Sequence, residues 1–400
     1  MTEQNREYII ISILPIMMLI FSFIVSTPQE IFNGMIKIVT ANDILITDYF
    51  VISNIGATFF NVAITSLFII HIIYILNLRL NGLLITSIFL IISFSFMGKN
   101  LFNILPFYVG TAIYSMIMKK TLKSVVAIGI MSTSLAPLAN IFFPYGFFVA
   151  VAIAFVLPNI SKNVLTIHEG YNLYNAGYTS GIVGIIIYSV LLSMGIRFDK
   201  NLEFSTNFDI RVFTFFMSYF IILIIIAVIY DKNIVKNFFN IQKHTGRLVT
   251  DFVSKEGFYA ALLNMALLGI ICLLFAYRFR LLNGPVICGI LTVVGFGGFG
   301  KHIKNVFPIF LGILIARCIF KVYVDNTTFL MIFCFSTALA PIAGKYGLIA
   351  GVISGILHYA VVTNISYIHG GINLYNNGLA AGLVATVIVP IMNMMWEDKN

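Results

Sequence analysis

Long apolar runs separated by short polar stretches make up nearly the whole chain. A helix rises about 1.5 Å per residue, so a hydrocarbon layer ~30 Å thick is crossed by ~20 apolar residues. Runs of that order fall near 8–26, 48–76, 81–97, 101–118, 123–142, 177–196, 210–230, 257–277, 283–299, 303–320, 328–344 and 378–395, with marginal runs near 145–158 and 347–362. The pattern predicts an all-α integral membrane protein with about 12–14 hydrophobic segments. The first run, 8–25, lacks an Ala-x-Ala-like cleavage pattern and reads as a retained helix, although an uncleaved signal anchor has the same appearance. The longest polar interruption, 231–256, is rich in Lys and Arg and reads as a linker between halves, or as the start of the second half.

Polar and special residues recur between the halves at nearly constant spacing. Asn81-Gly82 matches Asn283-Gly284, Gly98-Lys99 matches Gly300-Lys301, Asn103 matches Asn305, Pro106 matches Pro308 and Gly110 matches Gly312. Leu135-Ala136-Pro137 then matches Leu339-Ala340-Pro341, and Tyr145-Gly146 matches Tyr346-Gly347. The longest match is HEGYNLYNAG at 168–177 with HGGINLYNNG at 369–378. Chance likeness between apolar helices matches Leu and Ile, whereas these matches fall on Pro, Gly, Asn, Lys and His, so the chain is an internal duplication. The halves are taken as 1–205 and 206–400.

Charge suggests how the halves face. The basic cluster Lys119, Lys120 and Lys123 and the basic residues of 231–256 belong on the cytoplasmic side by the positive-inside rule. The second-half counterpart of the first cluster, KVYVDN at 321–326, keeps one lysine and gains an aspartate, as an outward-facing inverted copy would. Arg197, Lys200, Arg211, Arg278 and Arg280 argue the other way. Inverted repeats with broken or re-entrant helices are the expectation, with both termini cytoplasmic.

Composition agrees with a membrane class: 60% of residues are hydrophobic and 10% charged, against roughly a quarter charged in ordinary soluble domains. The formal net charge of +9 lies in short runs between spans, so anionic lipid headgroups are the expected partners and nucleic acid is not. The four cysteines, Cys272, Cys288, Cys318 and Cys334, lack metal-ligand spacing and read as buried thiols; no metal or cofactor is expected. HExxH, P-loop and GxSxG signatures are missing, as is a soluble nucleotide-binding domain.

The candidate site is the duplicated motif. Each copy follows a run too short or too interrupted for a comfortable span, a pointer to broken helices around a binding site. Asn172, Asn175, Asn373 and Asn376 offer donors and acceptors without charge, Tyr174 and Tyr375 complete the shared core, and His168 and His369 can titrate near neutral pH. Glu169 has Gly370 at the matching place, which excludes a symmetric carboxylate pair. The alternative is that both motifs are interfacial loops. Lys99, Lys301 and His302 are secondary candidates; the glycines of 295–298 can present backbone amides to an anion, and the lysines also read as solvated turn residues. The Gly-Phe-Gly at 295–297 is faintly similar to a potassium-channel filter. The Ser/Thr segments ending at Pro137 and Pro341 read as kinks or hinges.

With these two H-x-G-x-N-L-Y-N-x-G strings, the chain resembles a family of bacterial polytopic membrane proteins, the domain of unknown function 1576 family, over most of its length. That resemblance implies a cytoplasmic-membrane location in a bacterium and little chemistry. Architecture alone is distantly similar to urea channels and ammonium transporters. The expected function is a transporter or channel for a small polar solute or ion, with homo-oligomerisation left open. A membrane-embedded enzyme using His168-Glu169 as acid/base on a lipid-linked or apolar substrate, and a non-transporting scaffold or sensor, are the alternatives.

Overall fold

The computed structural model describes residues 2–198 and 203–397, without the side chains of the last two. The described residues fold into helices only, ten α-helices in each half. The first half runs α1 (Glu3–Val25), α2 (Pro28–Thr40), α3 (Tyr49–Ile52), α4 (Ile55–Ile75), α5 (Gly82–Phe94), α6 (Leu101–Ile117), α7 (Leu122–Ser132), α8 (Pro137–Ile141), α9 (Gly146–Ile167) and α10 (Asn175–Ser193). The second repeats the order: α11 (Ile210–Tyr230), α12 (Ile234–Ile241), α13 (Phe252–Glu256), α14 (Phe258–Arg278), α15 (Gly284–Phe296), α16 (Ile303–Ile319), α17 (Asn326–Phe335), α18 (Ala340–Tyr346), α19 (Leu348–Ile365) and α20 (Asn376–Glu397). Among the described residues nine helical stretches are long and apolar enough to cross a membrane.

The expected linker at 231–256 holds α12 and α13, the counterparts of α2 and α3. It lies within the second repeat, after its first helix α11. Its polarity comes from helices that are not spans: α12 buries Ile234 and Ile241, and α2 buries Ile31, Gly34 and Ile38, one face of each helix, so both are amphipathic rather than uniformly apolar. Met1 and residues 398–400 lie outside the described residues, and with them the ends whose side of the membrane was expected to be cytoplasmic.

Short polar side chains start most of the helices. Asn54, Asn81, Asn100 and Asn283 accept from first-turn N–H groups of α4, α5, α6 and α15, and His302 does the same for α16, which supplies donors that hydrocarbon cannot satisfy. Helix α15 buries every one of its residues and α5 all but Leu83, which is why both read as apolar on every side.

The two halves are related by an approximate two-fold axis passing between α5 and α15. Gly82, which begins α5, packs on the Gly298 carbonyl just beyond α15, while Gly284, which begins α15, packs on the Phe96 carbonyl just beyond α5. Between them, Thr86 donates to the Gly295 carbonyl (2.9 Å) and Thr292 to Ser93 (3.1 Å). Equivalent helices therefore run antiparallel, as an axis perpendicular to them requires; where such helices follow the membrane normal, this is the arrangement of inverted repeats. Asp48 accepts from the Gly284 N–H (3.2 Å) and Asp251 from the Gly82 N–H (2.9 Å), so each repeat also caps the central helix of the other.

Candidate functional site

Each central helix ends in a break that holds a buried lysine. Beyond α5 the chain turns through 95–100 into α6, and Asn61 of α4 donates to the Ser95 and Lys99 carbonyls (2.9 and 2.8 Å). Asn264 of α14 serves Gly297 and Lys301 in the same way (2.7 and 2.8 Å). The carbonyls of the glycine-aromatic stretch are thus taken up by the protein: Gly295 by Thr86, Gly297 by Asn264 and Gly298 by the Phe252 N–H. They form no ring for an ion. Lys99 and Lys301 are fully buried, not solvated turn residues. The Lys99 Nζ donates to the Tyr375 hydroxyl (2.5 Å) and the Lys301 Nζ to the Tyr174 hydroxyl (2.5 Å), each also lying over aromatic rings of the same cluster. Among the described residues neither lysine has a carboxylate within ion-pair distance.

Each motif copy is gripped by the opposite repeat. The Leu173 N–H donates to the Ala338 carbonyl and the Leu374 N–H to Ser134 (both 2.9 Å), so the 3₁₀ turns at Thr133–Leu135 and Ser336–Leu339, before Pro137 and Pro341, hold the motifs in place. Gly98 and Gly300 have positive φ, and a Cβ on either would lie 2.7 Å from Leu374 or Leu173, so only glycine allows the motif to seat. Thr133 and Thr337 of those turns lie beside the hydroxyls of Tyr375 and Tyr174, their own hydroxyls donating to the Ile130 and Cys334 carbonyls (2.7 and 2.6 Å). Asn172 accepts from the Tyr174 N–H (2.9 Å) and donates to the Gly378 carbonyl (3.1 Å); Asn373 accepts from the Tyr375 N–H (3.0 Å) and donates to the Gly177 carbonyl (3.3 Å). These bonds bring the N-termini of α10 and α20 together at Gly177 and Gly378.

The histidines are tied within their own copies. His168 Nδ1 accepts from the Asn172 N–H (3.2 Å), which leaves Nε2 to donate to Asn175 Oδ1 (3.0 Å), and His369 Nε2 meets Asn376 Oδ1 at 2.7 Å. Both rings are fully buried. Glu169 is exposed, turned away from His168 toward Arg247 (3.7 Å). His302 is the N-cap of α16 and donates through Nε2 to the His244 carbonyl (2.8 Å); burial pushes it down to about 4, so its imidazole is neutral.

A cavity of about 260 Å³ opens between the motifs. Tyr174, Asn175, Ala176 and Gly177 line it from one copy, and Leu374, Tyr375, Asn377 and Gly378 from the other. Leu157, Ser161, Lys162 and Leu165 of α9 line it too, with Leu248 and Val249, and the exposed Lys162 marks its mouth. A second cavity, of about 330 Å³, is lined by Leu45 and Ile46, Val362 and Thr363 of α19, Ser366 just beyond it, and Asn376. In the duplication these match Leu248 and Val249, Ser161, Lys162 and Leu165, and Asn175, so the second cavity is the two-fold counterpart of the first. Leu374 and Asn377 line both. His168, His369, Asn172 and Asn373 stand behind these walls; Tyr174, Tyr375, Asn175 and Asn376 form them.

Several residues that shape the site carry no spacing signal. Asn61 and Asn264 are single asparagines in largely apolar helices, detectable only because both copies have one. Asp43, in the loop between α2 and α3, accepts from Tyr49 (2.7 Å), Asn103 (2.9 Å) and Asn140 (2.6 Å). Burial nevertheless raises it to about 7. Two residues on, the Leu45 N–H donates to the Gly371 carbonyl (2.9 Å), which fastens this loop to the second motif. Cys318, expected to be buried, is exposed on α16.

Spanning helices around a two-fold break, with polar motifs held inside, define a multi-span helical membrane protein. The family model described as "Protein of unknown function (DUF1576)" matches residues 27–193 and 230–394, one match per repeat and more than half of the chain, and the chain belongs to that family. No curated protein and no solved structure matches it.

Proposed function

We propose that this protein carries a small solute across the membrane through the two matched cavities, with Tyr174, Asn175, Tyr375 and Asn376 as the polar groups along the path. The observation that carries the reading is the pairing of the cavities: two-fold counterparts that share Leu374 and Asn377 as a thin divide. A two-fold axis lying in the membrane plane turns one mouth to each side, and moving the divide then exchanges access, as in transporters built from inverted repeats. The buried histidines and Asn172 and Asn373 set the walls in place. The basic residues at Lys119–Lys123 and in 231–256 favour a cytoplasmic-membrane location with those segments inside.

Reconstitution into proteoliposomes tests this. Flux of a panel of small carboxylates, amides and polyols is followed with Lys162→Cys at the mouth of the first cavity, before and after attachment of a bulky thiol reagent. Blocked flux is expected; flux unchanged by a plugged mouth contradicts the path.

A further inference from the structure

We infer that the first cavity takes a small organic monoanion with an apolar body, an aliphatic or branched carboxylate by class. The inference deepens the reading of the cavity as a solute site and rests on it.

The electrostatics of the wall have one sign. No Asp or Glu lines the cavity, and its one charged lining residue is Lys162, exposed at the mouth. Behind the wall lie two fully buried lysines without a carboxylate partner, each donating to a tyrosine that does line the cavity. A phenol oxygen that accepts from a lysine Nζ keeps its own O–H as a donor for a ligand. The N-termini of α10 and α20 converge on the same space, and Asn175, Ala176 and Gly177 of the first turn of α10 line it with no side chain capping that helix. Such termini carry positive partial charge and favour anions. In water-excluded surroundings the partial charges of the helix termini and the charge of Lys162 are weakly screened, which favours an anion over a neutral solute of the same shape.

The rest of the wall limits what the anion carries. Phe94, Phe296, Phe335, Met131 and Leu90 surround the tyrosines and offer nothing to the hydroxyls of a polyol or sugar. About 260 Å³ holds on the order of eight water-sized groups, which suits a single carboxylate on a short hydrocarbon.

The test uses full-length protein in nanodiscs and three probes of one shape: 4-methylpentanoate, 4-methylpentanamide and 4-methylpentylammonium. By titration calorimetry the carboxylate is expected to bind about tenfold or more tighter than the amide, with no binding of the amine. Lys162→Gln, an exposed change that leaves the fold intact, should weaken the carboxylate several-fold and leave the amide unchanged, and Tyr375→Phe should weaken it further. An amide that binds as well as the carboxylate, or a carboxylate that fails to bind at millimolar concentration, overturns the anion assignment. Proteoliposome flux separates the two readings: flux of the amide with an inert carboxylate overturns the assignment and leaves transport standing, whereas carboxylate binding without flux of any probe supports the assignment and overturns transport.

Discussion

The Nζ of Lys99 crosses from one repeat to the hydroxyl of Tyr375 in the other, 2.5 Å away, and the two-fold returns the same contact from Lys301 to Tyr174. Each pair ties the break after a central helix to the motif of the opposite half. Tyr375→Phe leaves the buried Lys99 Nζ without its tyrosine partner and should cost ~1–3 kcal/mol of stability in detergent. Lys99→Met should cost a similar amount. Because the two act on one contact, the double variant should lose less than the sum of the singles by ~0.5–3 kcal/mol in denaturation. Additive losses would show that the contact contributes nothing.

The meeting of α10 and α20 depends on two glycines. A Cβ on Gly378 would lie 2.7 Å from the Gly177 Cα, backbone that cannot move aside without separating the helices. Gly378→Ala should therefore cost ~1–3 kcal/mol as overpacking. Gly184, on the same helix as Gly177, has room: its nearest neighbour to a new Cβ is Leu135 at 3.6 Å. Gly184→Ala should leave the thermal midpoint near that of the parent, and equal losses at both positions would contradict this account of the interface.

Asp43 makes stability fall as pH rises. Its carboxyl titrates at about 7 when folded because burial outweighs three hydrogen bonds, and an unfolded aspartate titrates near ~4. Between those values the folded state holds more protons than the unfolded, so this group contributes a loss of stability from about pH 4 to 7 and none beyond. The loss is on the order of 4 kcal/mol. The difference in melting temperature between wild type and Asp43→Asn, recorded across that window, isolates it: the wild type should fall relative to the variant as pH rises. A parallel pair of curves, or the opposite slope, counts against the assignment.

The divide between the cavities is asymmetric. His358, fully buried, bonds Asn377 (3.1 Å), whereas the matching places in the first repeat hold Leu157 and Ala176, both on the open wall of the first cavity. Asn377→Ala gives the second half the side chain of the first and removes that bond. If the pair helps to hold the divide, flux in proteoliposomes should rise several-fold while the fold persists. A fall in flux with intact folding would show that Asn377 serves the solute instead.

The duplication is legible in the sequence because turn, cap and break positions tolerate few residue types. Asn81 and Asn283 cap equivalent helices, Pro106 and Pro308 lie inside equivalent helices, and Lys99 and Lys301 follow equivalent breaks. The exchange of partners is not legible: spacing alone does not say whether Lys99 meets Tyr174 of its own repeat or Tyr375 of the other. The same limit applied to 231–256, whose polarity suggested a linker although it belongs to short amphipathic and capping elements. Depth was hidden too, since a lysine between apolar runs reads alike at an interface and in a core.

Thiol accessibility from the two sides of the membrane tests the account most directly. Lys162→Cys and Thr363→Cys, matched residues at the mouths of the two cavities, are each made in a background with Cys318→Ser and the three buried cysteines retained. A membrane-impermeant maleimide applied to oriented vesicles should label the two positions from opposite sides. Labelling of both from the same side would contradict a path that joins the two cavities across the bilayer.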